Sequence, residues 1–231
     1  MPKRRTHSYF WFILACAIVT PIILLFHLRP LEKEFIMSDA MMMTTTPRDE
    51  RLEKKCSDAV GKLVDLKINF LAIDFDQTMI DIHTGGRWKE SVSSLTTHLR
   101  PLFLHLIPIA TSSQIRIAIV TFSPQTKHIR EVLEYAYSPN VAECIPIRGN
   151  DGSWTYVGNG MKMGKQEHMA SAAEELMAKP MPDVGIISKS TTLLIDDDPK
   201  NIKKSLKDGA RAVWINPRDP LRLLDDIMRL K

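Results

Sequence analysis

Three short apolar runs in this chain each stop at a polar side chain. FLAI (Phe70 to Ile73) precedes Asp74, IRIAIV (Ile115 to Val120) precedes Thr121, and TLLI (Thr192 to Ile195) precedes Asp196. Near-continuous apolar strands, without the in-out alternation of a half-exposed sheet, are buried on both faces, as in parallel sheets. Segments of helical periodicity separate them, and strand–helix alternation implies helices packed on both sides of the sheet. The expected fold is therefore α/β, a Rossmann-like doubly wound parallel sheet. In such a sheet, ligands bind beyond the carboxyl ends of the strands. Asp74, Thr121 and Asp196 then converge on one edge.

The remaining elements follow from the same periodicities. Pro47 suits a helix start. Leu52, Cys56, Ala59, Val60, Leu63 and Val64 recur at helical spacing, which predicts a helix from Pro47 to about Leu66. It serves either as a cover for the sheet or as a spacer. Trp88 to Ile107 reads as mainly helical, broken or kinked at Pro101. Pro124 to Tyr137, Met163 to Ala178, Pro199 to Lys207 and Asp219 to Leu230 read as further helices. Cys144 to Ile147 and Ala212 to Ile215 complete the strands, and Asp151 to Gly160 suggests a hairpin or loop. No internal repeat is visible.

The N-terminus is different in kind. Residues 1–7 form a basic tip, and Ser8 to Leu28 contains no Lys, Arg, Asp or Glu. About 20 apolar residues suffice to cross a bilayer as a helix, so 8–28 is expected to be a single-pass anchor. Tyr9 and Trp11 stand where interfacial aromatics belong. A cleaved signal or transit peptide and a buried core helix are the other readings. Lys3, Arg4 and Arg5 before the span, against Arg29 and Lys33 after it, mildly favour a cytosolic N-terminus. The side of the membrane on which the domain lies stays open. Residues 29–46, with their MMMTTT tract, read as a linker, and 47–231 as the folded domain.

Charge narrows the partners. The net charge is +4, of which the basic tip supplies three units. The rest is nearly neutral, so no nucleic-acid partner is expected. Of three cysteines, Cys16 lies in the apolar span, which leaves Cys56 and Cys144 as a possible single disulfide.

Asp74, Asp76, Asp196, Asp197 and Asp198 put too many negative charges on one edge unless cations sit among them. A hard divalent ion with oxygen ligands is the economical answer. Mg2+ accepts one or two carboxylates, waters and a phosphate oxygen. Lys165, at the start of a helix on the same edge, supplies a second positive charge.

DFDQT (Asp74 to Thr78), Thr121 in IVTFS, Lys165 in MGKQEH, and LLIDDDPKN (Leu193 to Asn201) stand in this order along the chain. Together they resemble the four motifs of the haloacid dehalogenase superfamily, in its DxDxT phosphatase-like form. The resemblance covers Phe70 to Asn201. It implies that Asp74 attacks phosphorus and becomes a transient aspartyl phosphate, and that Asp76 protonates the leaving oxygen and then activates water. It implies an Mg2+ site made by Asp74, the backbone carbonyl of Asp76, Asp196 and Asp197. The implied phosphate-binding set is Thr78, Thr121, Phe122, Lys165 and Arg87. His83, Arg87 and Trp88 in IHTGGRW fall where the family has a flap over its site. The room between motifs implies a minimal cap, hence an open crevice for a phosphorylated small molecule or a phosphoprotein.

Bland alternatives stand beside each role. Asp74 and Asp76 are equally types that form turns, Thr121 a helix cap, Lys165 a solvated lysine and IHTGGRW a surface turn. Asp198 is the best candidate for a helix N-cap. At the level of the whole chain, the competing functions are a catalytically silent binding or tethering module at a membrane, and a phosphotransferase of the same fold.

Overall fold

A computed structural model of the chain describes residues 46–155, 164–179 and 185–231. The anchor expected at 8–28 lies outside the described residues, as do the basic tip and all but the last residue of the linker. Among the described residues, no helix is long and apolar enough to cross a membrane.

Among the described residues, five parallel strands form one sheet: β1 (Phe70–Ile73), β2 (Arg116–Val120), β3 (Ile147–Arg148), β4 (Thr192–Asp196) and β5 (Arg211–Trp214), in the order β3-β2-β1-β4-β5. The chain leaves β1 in one direction, through β2 to β3, and then returns to β4 on the other side of β1. The point where the direction reverses therefore lies between β1 and β4. It opens a crevice at the carboxyl ends of these two strands. In register, Ile73 faces Ile195, so Asp74 and Asp196 stand level at that crevice.

Alternate strand residues feed two apolar layers. Leu71, Ile73, Ile117, Ile119, Leu193, Ile195 and Val213 belong to the larger one. They pack beneath α1 (Pro47–Asp65), α3 (Pro101–Ser112), α4 (Thr126–Ala136) and α8 (Arg222–Met228). Short α2 (Val92–Thr96) precedes α3, and α5 (Pro139–Ala142) follows α4. Phe70, Ala72, Ala118, Val120 and Leu194 line the other face, beneath α6 (Gln166–Ala178) with its Met169, Ala172, Ala173 and Leu176. Because β3-to-β4 and β4-to-β5 run in the same direction, right-handed crossovers put α6 and α7 (Pro199–Lys207) on one face. The sheet is thus covered on both faces, which is why the interiors of its central strands are apolar while Arg116, Thr192 and Asp196 stand at strand ends.

Helix α1 covers the sheet and is no free spacer. Cys56, Ala59, Val60 and Leu63 are buried, and the Cys56 thiol points to the Leu102 carbonyl of α3. Cys56 is buried, Cys144 is exposed, and both are free thiols, so the two form no disulfide. Thr46 caps α1 with reciprocal bonds to Asp49, and Pro47 sits in the first turn.

Several boundaries differ from the sequence reading. Trp88 is not helical. The segment 88–107 resolves into a loop, α2, and α3 running five residues past Ile107. Pro101 starts α3, because its missing N–H costs nothing in a first turn. The third strand is Ile147–Arg148, not Cys144 to Ile147. Pro146 has no N–H for a ladder, and only Ile147 and Arg148 pair with β2. Asp196 is the last residue of β4 rather than the residue after it. Of the expected 151–160 hairpin or loop, residues 151–155 contain no strand, as a loop would, and 156–160 lie outside the described residues.

Gly149 marks a close approach behind the crevice. A Cβ there would fall inside van der Waals contact with the Ser123 carbonyl oxygen and with Thr126 Cγ2. Gly149→Ala is expected to cost about 1–3 kcal/mol, since a backbone oxygen cannot swing aside. Gly61 in α1 has no atom within 4 Å of its added Cβ, so Gly61→Ala is expected to raise stability by about 0.5–1 kcal/mol. Urea unfolding of the two variants checks the contrast, and equal midpoints would refute it.

Candidate functional site

Each acidic residue of the crevice is delivered by a strand end. Asp74 follows β1 directly and donates its own N–H to the Ile195 carbonyl of β4 at 2.9 Å. Asp196 closes β4 and is fully buried. Its Oδ1 accepts the Asp198 N–H at 2.8 Å, and the Asn201 amide donates to both of its oxygens, at 3.1 and 3.0 Å. Asn201 thereby orients Asp196 as well as its own loop. Asp198 takes the N-cap role expected of it, accepting the Lys200 N–H at 2.8 Å.

Asp74, Asp196 and Asp197 offer oxygens that all lie within 4.8 Å of one another. Among the described residues, one cation touches this group. Lys165, 1% exposed, donates from Nζ to Asp74 Oδ1 at 2.6 Å and to the Val120 carbonyl at the end of β2 at 3.0 Å. It is therefore no surface lysine. Its Nζ also lies 4.1 Å from the centroid of the Phe122 ring, a cation–π geometry. The helix that carries Lys165 at its N-cap is fixed to β3 by Arg148, which donates to Ser171 Oγ at 2.8 Å and to Glu175 at 2.6 Å.

Burial of so many carboxylates has an electrostatic consequence. It pushes Asp74 above the ordinary aspartate value, and Lys165 offsets this only in part. Burial, followed by the charge of Asp74, raises Asp196 to about 7 and also raises Asp197. Lys165 by itself does not neutralise this group.

The surrounding cleft has a volume of about 610 Å3. Asp74, Asp76, Thr121, Phe122, Lys165, Asp196 and Asp197 all line it. Thr121 Oγ1 accepts the Ser123 N–H at 3.1 Å, which curls the loop after β2 around the cleft. Two other expected site residues are elsewhere. Thr78 is fully buried and contacts Asp197 Oδ1 at 3.4 Å, so it supports the acidic group from behind. Arg87 is exposed and does not line the cleft.

Asp76 stands apart from the triad. Its carboxylate is engaged by Thr84, with Oγ1 2.9 Å from each oxygen, and by His83 Nδ1 at 3.0 Å from Oδ2. Thr84 was not singled out by the motifs, although the threonine before two glycines was the available signal. Gln77, also in the lining, adopts a positive φ of 57°. This lets the chain reverse directly after β1, with Gln77 N–H bonded to the Ile82 carbonyl at 2.9 Å.

On the far side of Phe122, His168 meets the rings of Phe122 and Trp154 edge-on, at 5.4 and 4.7 Å between centroids. Its Nε2 lies 3.1 Å from Asn150 Oδ1. Burial, then Lys165 and Arg148, lower its pKa from 6.5 to about 4. A histidine held neutral contributes stability above its unfolded pKa and loses it as pH falls through the folded value. The unfolding free energy of the wild type is therefore expected to fall more steeply between pH 6.5 and 4 than that of His168→Gln. Parallel curves in urea titrations would refute this.

The fold and cleft define an α/β protein with a carboxylate–lysine cluster at the reversal point of a parallel sheet. No family model and no curated protein matches the chain. A solved structure of an uncharacterized protein from Corynebacterium glutamicum ATCC 13032 Kitasato is similar over 71% of this chain and 97% of its own, at 14% identity and a TM-score of 0.40. A likeness that loose carries no argument about the site.

Proposed function

We propose that the chain is a Mg2+-dependent phosphatase of the haloacid dehalogenase superfamily, hydrolysing a phosphomonoester through an aspartyl phosphate on Asp74. It is held at a membrane by residues 8–28. The observation that carries the reading is the triad Asp74, Asp196 and Asp197, with oxygens within 4.8 Å and Lys165 on Asp74. One residue from each motif, Asp74, Thr121, Lys165 and Asp196, lines the same cleft.

The donor set fits a hard divalent ion. It is all oxygen and anionic, and among the described residues Lys165 alone offsets its charge, which leaves negative charge uncompensated. When bound, Mg2+ supplies neutralisation of the carboxylates and polarisation of a phosphoryl oxygen. The residues of the chain do the rest. An Asp74 oxygen attacks phosphorus while the bond to the leaving oxygen breaks, and the Asp76 carboxyl gives its proton to that oxygen. Asp76, now a carboxylate, then takes a proton from water as the water oxygen attacks phosphorus and the bond to Asp74 breaks. Inorganic phosphate leaves, and both aspartates are restored. Lys165 holds Asp74 in place and offsets charge on the phosphoryl group. Thr121 and the N–H groups after it hold phosphoryl oxygens, as positioning and charge stabilisation require in phosphoryl transfer. The cleft admits a phosphorylated small molecule or the phosphorylated side chain of a protein.

The full chain in detergent is expected to hydrolyse an aryl phosphate with Mg2+ and not with EDTA. Asp74→Asn is expected to remove turnover, and Asp76→Asn to reduce it by on the order of 10²–10⁴. An active Asp74→Asn protein would sink the nucleophile assignment. Mg2+ at about 100 times its Kd is expected to stabilise the fold by about 2.7 kcal/mol, and Asp196→Asn to abolish that response. An unchanged response in this variant would place the ion elsewhere. Resistance of the chain to carbonate extraction tests the anchor.

A further inference from the structure

The segment His83 to Trp88 is fastened at three points. At its start, Thr84 Oγ1 lies 2.9 Å from each oxygen of Asp76 and accepts the Gly86 N–H at 3.1 Å. With Gly86 N–H as its donor partner, the hydroxyl directs its single proton to the carboxylate. In the middle, Gly85 and Gly86 adopt φ of 62° and 67°, which glycine tolerates and side-chain residues resist. A Cβ on Gly86 would lie 2.6 Å from Pro124 Cδ, so the turn rests directly on Pro124. At its end, the Gln125 side chain clamps the Trp88 backbone twice. Trp88 N–H donates to Oε1 at 2.6 Å, and Nε2 donates to the Trp88 carbonyl at 2.9 Å.

Pro124 and Gln125 belong to the loop that follows Thr121. The strap therefore joins the Asp76 carboxylate to the loop that lines the other wall of the cleft. We infer that Thr84 is a positioning residue. Its hydroxyl fixes the rotation of the Asp76 carboxyl toward the leaving oxygen, and the strap keeps that orientation in step with the Thr121 loop. This rests on the phosphatase reading. A plain surface turn would not place a hydroxyl on both oxygens of a carboxylate whose side chain is 12% exposed. Nor would it need paired left-handed glycines against a proline.

The role has a kinetic signature, because proton donation matters most when the leaving group is a poor one. With an alkyl phosphate, departure of the alkoxide needs the Asp76 proton. With p-nitrophenyl phosphate the leaving phenolate is stable, and the first step scarcely needs it. Water activation in the second step needs Asp76 for both substrates.

The experiment compares wild type, Thr84→Val, Thr84→Ala and Thr84→Ser in the full chain with Mg2+, on glycerol phosphate and on p-nitrophenyl phosphate. Thr84→Val keeps the shape and removes the hydroxyl, and Thr84→Ala replaces it if Val does not fold. For Thr84→Val, kcat/KM on glycerol phosphate is expected to fall by about 10- to 100-fold, part of a general acid's contribution. On p-nitrophenyl phosphate, kcat/KM is expected to stay within about threefold, while kcat falls and a stoichiometric burst of nitrophenolate appears. Thr84→Ser is expected to restore both substrates. An equal loss of kcat/KM on both substrates, no loss on either, or no rescue by Ser overturns the positioning role and leaves the phosphatase reading standing. A wild-type chain inactive on both substrates overturns the phosphatase reading, and this inference with it.

Discussion

The buried ion pair between Lys165 and Asp74 is the interaction on which the rest of the site depends. It joins three parts of the chain that are remote in sequence: the end of β1, the end of β2 through the Val120 carbonyl, and the start of α6. Both side chains are almost wholly out of water. Such a pair adds little net stability, because desolvation cancels most of the attraction, but losing one partner leaves an uncompensated buried charge. Its value here is positional. It locks α6 against the strand ends, and it brings a cation to the one carboxylate that two neighbouring carboxylates would otherwise oppose.

Topology explains why the carboxylates meet. Asp74 and Asp196 stand at the ends of adjacent strands whose onward connections run in opposite directions, at the reversal of strand order. The ladder sets them level, through Ile73 opposite Ile195. The second sphere then does the orienting. Asn201 and the Asp198 N–H hold Asp196, Thr78 supports Asp197, and Thr84 with His83 holds Asp76. Asp76 is thereby segregated from the triad by its own hydrogen bonds. In the proposed two-step phosphoryl transfer, that separation would keep a proton-transferring carboxyl apart from the carboxylates that would hold an ion.

What was legible in the sequence was what one-dimensional pattern encodes. Strands β1, β2 and β4 showed as apolar runs because burial on both faces leaves little polar interruption, with Arg116 and Thr192 at the starts of β2 and β4 as the exceptions. Their terminal residues, Asp74, Thr121 and Asp196, were legible for the same reason. Lys165 was legible through its place at a helix start. Strand β3 was misplaced because two edge residues carry no periodicity. The region after Trp88 was misread because Pro101 begins a helix as readily as it breaks one. Thr78 and Arg87, expected at the phosphate, do not line the cleft; for Thr78 the direction of the side chain after the strand is set by a turn, here the left-handed Gln77. Gln125 was invisible as a partner because its clamp on Trp88 joins loops that only the folded sheet brings together, whereas Thr84 meets Asp76 eight residues away in the same loop and was signalled only by the glycine pair after it.

The central claim is that the strand-end carboxylates form one cation site beside Lys165. Crystals of the full chain grown with Mn2+, whose anomalous scattering reports its position, test it most directly. The expected result is an anomalous peak among the carboxylates of Asp74, Asp196 and Asp197, absent from Asp196→Asn crystals grown in the same way. A cleft without a peak under those conditions, or a peak held by other side chains, would contradict it.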